Sequence, residues 1–221
     1  MTTPRYDELR AHYEACLAAH GDSHLGVNWP RAEDAEARHR VMADLLAPVP
    51  GERLSVLDFG CGLAHFHAYL QAAGRTDVDY SGLDLSPRFV EAARAKLPDV
   101  PFVCRDVLAD DAPLPCYDYV VANGVFTSKQ SLTQAEMTGF FEALLTRLWP
   151  AARRGLAFNV MSKHVDWEVP TLFHLPFDDM ARFVRGALTR HFTIRADYGL
   201  YDYTVYLHRD PKGAPFPWPS S

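Results

Sequence analysis

The sequence predicts an α/β fold, a mostly parallel sheet with helices on both faces. Three observations carry that prediction. Short apolar runs alternate with helical patterns from Leu54 to Ser162. The stretch Ser55-Val-Leu-Asp-Phe-Gly-Cys-Gly62 passes from a buried strand into a tight glycine turn, and an apolar run from Leu63 to Leu70 then reads as a helix. Acidic residues stand at the ends of successive apolar runs, at Asp58, Asp84 and Asp106.

In chain order, Pro4 to His20 places Tyr6, Leu9, Tyr13, Cys16 and Leu17 at helical spacing, with Gly21 as the stop. A turn-rich stretch to Pro30 precedes a helix from Arg31 to Leu46, ended by Pro48 and Pro50. After the first strand and its helix, a second strand closes at Asp84, and Ser86 and Pro87 supply the N-cap and first position of the next helix. Val100 to Cys104 reads as the third strand and Tyr117 to Gly124 as the fourth. Thr133 to Leu148 has an apolar helical face of Met137, Phe140, Phe141, Leu144, Leu145 and Leu148. A fifth strand, Gly155 to Met161, and a helix, Phe177 to Leu188, follow. His191–Tyr198 and Thr204–His208 read as two tightly joined, hence antiparallel, strands. Residues 1–50 precede the sheet, 51–210 form one domain, and the proline-rich 211–221 is a loose tail.

The glycines have a mechanical reason. A chain leaving a strand sharply needs residues without Cβ, and a ligand can then approach the backbone closely. Free N–H groups at the helix start hold polar ligand atoms. Asp58 lies before the glycines, which favours a ligand carrying a positive group over one carrying a pyrophosphate. The NAD pattern G-x-G-x-x-G is incomplete, because its third glycine position is His65. Asp84 ends the second strand about 20 residues past the turn, where a carboxylate meets both ribose hydroxyls. Leu85 adjoins it. Asp106 is placed to accept from an adenine amino group, with Val107 against the ring, and Asn123 closes the fourth strand below a methionine portion. Together with Cys61 in the loop, these residues point to S-adenosylmethionine.

Ser55–Leu70, Tyr80–Leu97, Phe102–Leu108 and Tyr117–Lys129 resemble the motifs of class I S-adenosylmethionine-dependent methyltransferases. The resemblance spans roughly Leu54 to Arg209 and implies a Rossmann-like, seven-stranded sheet whose last strand is antiparallel. Asp58, Gly60 and Gly62 match the glycine loop, Asp84 the ribose-binding acid and Asp106 the adenine-side acid. The loop's usual third glycine is Ala64, for which a slightly tighter fit is expected. Gly155 to Trp167 further resembles a bacterial small-molecule subgroup found with sugar and natural-product pathways. By the same resemblance, residues 1–50 form a helical lid over the ligand, with His20, Asp22, His24, Asn28 and Trp29 as its polar and aromatic groups.

Methyl transfer is an in-line displacement that asks for alignment and, with an oxygen acceptor, a base. The acceptor pocket is expected above the fourth and fifth strands, near Asn123, Phe126, Lys129, Ser162, Lys163, His164, Asp166 and Trp167. His164 is the base candidate, oriented by Asp166, against the alternative of an ordinary loop histidine. Trp29, Phe126 and Lys129 are candidate acceptor contacts, although Trp29 equally suits a packing anchor and Lys129, like Lys163, a solvated charge. His174 and Tyr203 are further pocket candidates. His20-x-Asp22-x-His24 and His65-x-His67 lack a third ligand, so no metal is expected.

A net charge of −6 argues against a nucleic-acid surface. No apolar run approaches a membrane span and the first residues lack a signal core. Four cysteines without C-x-x-C spacing suit a reducing compartment. The expectation is a cytoplasmic monomer or homodimer acting on an oxygen or nitrogen of a small polar metabolite, with no nucleic-acid or membrane partner. The alternatives are a protein or RNA methyltransferase and a non-catalytic S-adenosylmethionine-binding protein; an oxidoreductase is the weakest reading.

Overall fold

A computed structural model describes residues 5–209. Two helices, α1 (Asp7–His20) and α2 (Ala32–Ala43), precede β1 (Leu54–Phe59). The alternating core then runs α3 (His65–Ala72), β2 (Val78–Asp84), α4 (Pro87–Lys96), β3 (Phe102–Cys104), β4 (Tyr117–Phe126), α5 (Gln134–Leu148) and β5 (Ala152–Ser162). A two-residue strand, β6 (His174–Leu175), leads into α6 (Phe177–Ala187), and β7 (Phe192–Arg195) and β8 (Asp202–His208) close the sheet. The tail 211–221 lies outside the described residues. Among the described residues no helix is long and apolar enough to cross a membrane.

The strand order is β3-β2-β1-β4-β5-β8-β7, with β6 paired to β5 off this path. β8 is antiparallel to β5 and β7, while the other pairings are parallel. This is the Rossmann-like sheet with an antiparallel last strand, enlarged by the short β6. The order reverses between β1 and β4, and in open α/β sheets the crevice at such a switch point, beyond the carboxyl ends of the strands, is where ligands bind.

Alternation along the central strands builds two cores. Val120 and Ala122 of β4 pack with Leu57 of β1 and with Phe141, Leu144 and Leu148 of α5. Tyr119 and Val121 point the other way, against Val41 and Met42 of α2 and Phe66 and Leu70 of α3. The helix starts follow local chemistry. Ser86 caps α4 by accepting from the Phe89 N–H at 3.3 Å, with Pro87 at the first position. Thr133 and Glu136 form a reciprocal capping box at α5.

Among the boundaries that differ from the sequence reading, two bear on the site. α3 starts at His65 rather than Leu63, because Gly62 and Ala64 both take positive φ, 51° and 57°, before the helix begins. β4 continues past Gly124 to Phe126, after an irregularity: Ala122 faces Phe158 and Phe126 faces Val160, so four steps on β4 match two on β5. Such bulges re-aim side chains at functional edges.

Candidate active site

A cavity of ≈ 180 Å³ lies across the carboxyl ends of β3, β2, β1 and β4. Its floor is built from the glycine turn. Gly60, at φ 71°, has no room for a Cβ, which would stand 2.6 Å from Val125 Cγ2. Gly62 donates its N–H to Asp84 Oδ2 at 2.9 Å, and Ser86 donates to Asp84 Oδ1 at 2.8 Å. Burial raises the Asp84 carboxyl above its ordinary range, opposed by these backbone donors. Asp58 is 3% exposed and accepts from the Tyr80 hydroxyl at 2.6 Å. Burial pushes Asp58 up to about 7; the Tyr80 hydrogen bond pulls it back and the Asp84 charge adds to the rise. Cys61 lines the cavity as a buried thiol, held well above its ordinary range by burial and then by the same acids, so it stays protonated.

Helix α1 and the segment after it close the cavity from the other side. Tyr6 donates to Asp106 Oδ2 at 2.9 Å and stacks on Phe140 at 5.1 Å between ring centroids. Asp106 also accepts from the Leu108 N–H at 2.9 Å. Ser86 donates to Glu14 at 2.6 Å, and His65 pairs with Asp22 at 2.7 Å. The Trp29 ring sits against Gly124, where a Cβ would approach Trp29 Cζ2 to 2.6 Å. The apolar stripe read on α1 explains this arrangement: only Leu9 is fully buried, while Tyr6 and Tyr13 line the cavity, half-buried.

Of the residues singled out from sequence, Asp58, Gly60, Cys61, Gly62, Asp84, Leu85, Asp106, Val107, Asn123 and Trp29 all line this one cavity. Asn123 Oδ1 is buried and has no hydrogen-bond partner among the described residues. Ala64 keeps the left-handed conformation that a glycine would take, is fully buried and does not line the cavity. The substitution therefore costs backbone strain of about 1–2 kcal/mol rather than ligand space.

The residues expected on the acceptor side, other than Asn123 and Trp29, lie elsewhere. Phe126 is fully buried in the core, edge-on to Phe141 and Phe158, because the bulge before it turns its side chain inward. Lys129 donates to the Leu132 carbonyl at 3.1 Å. His164 is exposed, with its ring on Phe177 at 4.7 Å, and Asp166 is exposed and accepts from the Tyr201 hydroxyl at 3.5 Å. His174 and Tyr203 are buried: His174 donates from Nδ1 to the Ser162 carbonyl and accepts from the Val169 N–H at Nε2, and Tyr203 donates to the Leu175 carbonyl. Sequence reading passed over Tyr80, Phe140 and His39, all tied to the site. His39 reaches the cavity wall from α2, and burial, then the His65 and Arg38 charges, hold its imidazole down to about 4. Its signal was faint, one histidine on an otherwise ordinary helix.

Residues 56–150 match the methyltransferase domain family. That span contains the glycine turn and all three acids of the cavity. Residues 56–150 are a methyltransferase domain of that family. A Mycobacterium tuberculosis protein that bears a methyltransferase name is 29% identical over 160 residues, covering 70% of this methyltransferase and 93% of that protein. A trans-aconitate 2-methyltransferase of Methylobacterium radiotolerans is 41% identical over 99 residues, 44% of this chain and 36% of that one. The match thus spans about a third of that relative's length. The magnesium protoporphyrin IX methyltransferase of Synechocystis PCC 6803, solved with its cofactor bound, shares the fold at 18% identity and a TM-score of 0.64, over 95% of this chain and 99% of that one.

The cavity of this methyltransferase fits S-adenosylmethionine. The lining is acid-rich, as a cationic ligand requires, with Asp58, Asp84 and Asp106 among its residues. The orphaned Asn123 Oδ1 offers an acceptor, and the positive-φ glycines leave backbone accessible where a Cβ would stand.

Proposed function

We propose that this methyltransferase moves the methyl group of S-adenosylmethionine to an oxygen or nitrogen of a small polar metabolite. The N-terminal segment laid against the cavity carries this reading. Tyr6 on Asp106, Glu14 on Ser86, Asp22 on His65 and Trp29 on Gly124 cover the side that a protein or RNA strand would need open. The named acceptor of the trans-aconitate relative is of the same small-molecule class.

Bound S-adenosylmethionine supplies a methyl group made electrophilic by the sulfonium. The chain's own groups bind, orient and exclude water. Asp84, fixed at both oxygens by backbone donors, would accept from the ribose hydroxyls. Asp106 would accept from the adenine amino group, with Leu85 and Val107, which line the cavity, beside the ring. Asp58, Asn123 and the turn Gly60-Cys61-Gly62, which line the cavity, would hold the methionine end. With Asp58 ionised, its charge complements the ligand's positive groups.

His164 and Asp166 do not face the cavity, so another group must meet the acceptor. His39 is our candidate. It stands on the wall with no hydrogen-bond partner among the described residues, and burial keeps it neutral at physiological pH. A neutral imidazole steadies an acceptor hydroxyl by hydrogen bonding, and an uncharged amine needs no base. Four unpaired thiols suit a cytoplasmic setting.

The test is a transfer assay with methyl-labelled S-adenosylmethionine and the full chain. Small-metabolite, protein and RNA fractions are offered separately. Label in the metabolite fraction is expected; label confined to protein or RNA overturns the reading.

A further inference from the structure

A buried polar chain crosses the molecule behind the active site. Arg38 of α2 donates to Asp202 of β8 through Nε and Nη2, at 2.9 and 3.0 Å. Asn159 of β5 donates from Nδ2 to Asp202 Oδ2 at 2.9 Å and accepts from the Gly124 N–H at 2.7 Å. Asp202 is 1% exposed, Asn159 fully buried and Arg38 7% exposed. The Arg38 guanidinium also lies over the Trp29 ring, 4.2 Å from its centroid, and Trp29 abuts Gly124. The chain therefore starts and ends at the same place, where the N-terminal segment meets the turn of β4.

A buried ion pair is weak evidence for stability, because desolvation offsets much of its attraction, and Arg38 Nη1 has no partner among the described residues. The bulge explains what the chain does instead. Between Ala122 and Phe126 the ladder to β5 lapses, so the Gly124 N–H would lack a strand partner. Asn159 supplies one from its side chain. Gly124, at φ 82°, then presents a flat face to Trp29, and its neighbour Asn123 keeps an amide oxygen uncommitted.

We propose that Asn159, Asp202 and Arg38 are positioning residues that make the Asn123–Gly124 turn and Trp29 one rigid unit at the methionine end of the site. Closure of the N-terminal segment and the shape of the methyl-facing floor are then coupled. The proposal rests on the reading that the cavity takes S-adenosylmethionine with its methionine end over β4.

Two probes separate positioning from simple destabilisation. S-adenosylmethionine reaches the β4 turn, whereas adenosine occupies only the part over β2 and β3. Calorimetry is run with both probes on the unaltered chain, Asn159→Ala, Trp29→Ala and the double variant. Each single change is expected to weaken S-adenosylmethionine by about tenfold and adenosine by less than about twofold. In the double variant the loss should match a single loss rather than their product, as for coupled sites. Equal losses on both probes, or multiplicative losses on S-adenosylmethionine, overturn the proposal. Should Asn159→Ala fail to fold, Trp29→Ala reads the same split, since its side chain makes none of the chain's hydrogen bonds. Binding of S-adenosylmethionine by the unaltered chain checks the underlying reading separately.

Discussion

Asp84 is the residue in which sequence position, geometry and chemistry meet most tightly. Its two oxygens accept from Gly62 and Ser86 at 2.9 and 2.8 Å, which fixes the carboxylate plane and leaves lone pairs toward the cavity. An ionised carboxylate is acceptor-only, so a pair of ligand hydroxyls suits it. Asp84→Ala should weaken S-adenosylmethionine binding by about 1.5–3 kcal/mol, the range for hydrogen bonds to a charged group. Asp84→Asn keeps one acceptor oxygen and should fall between. Calorimetry that finds the alanine variant as tight as the unaltered chain removes Asp84 from the ribose site.

At the scale of elements, α1 is the informative one. Its apolar stripe is too exposed to be a core face, with Leu9 the sole buried residue. A helix whose stripe is half-buried owes little of its stability to packing, so a ligand beneath it should order it. Amides within Asp7–His20 are expected to exchange more slowly once S-adenosylhomocysteine is added, while those of α5, packed through Phe141 and Leu144, should change little. Equal exchange of α1 with and without ligand would show that it does not cover the site. The alternating strands, the glycine turn and the acids at strand ends were all legible in the sequence, because each depends on local pattern. The acceptor side was not. Phe126 was misplaced because a bulge changes which face a residue takes, and nothing local marks one. His164 and Lys129 were misplaced because the chain after β5 folds back on β4: Leu172 bridges to Ser128, and the Thr171 carbonyl accepts from the Lys129 N–H at 2.9 Å. That return depends on contacts distant in sequence.

For the whole molecule, Asp58 ties stability to pH and to ligand. Its carboxyl rises from an ordinary 3.8 to about 7 through burial, so between those values the folded chain holds a proton that the unfolded chain has lost. The stability it contributes is complete below 3.8 and lost as pH rises through about 7. A cationic ligand reverses the balance, because it favours the carboxylate. S-adenosylmethionine binding should therefore release a proton near neutrality and tighten as pH rises. The rise in melting temperature at a fixed, saturating ligand concentration should grow between about pH 5.5 and pH 8, following the ligand linkage. Tyr80→Phe removes the hydroxyl that donates to Asp58 at 2.6 Å, so the same growth should move to higher pH. Asp58→Asn should flatten it. A ligand-induced shift that is level across that range in the unaltered chain, with Tyr80→Phe indistinguishable from it, would mean that Asp58 does not face the positive end of the ligand.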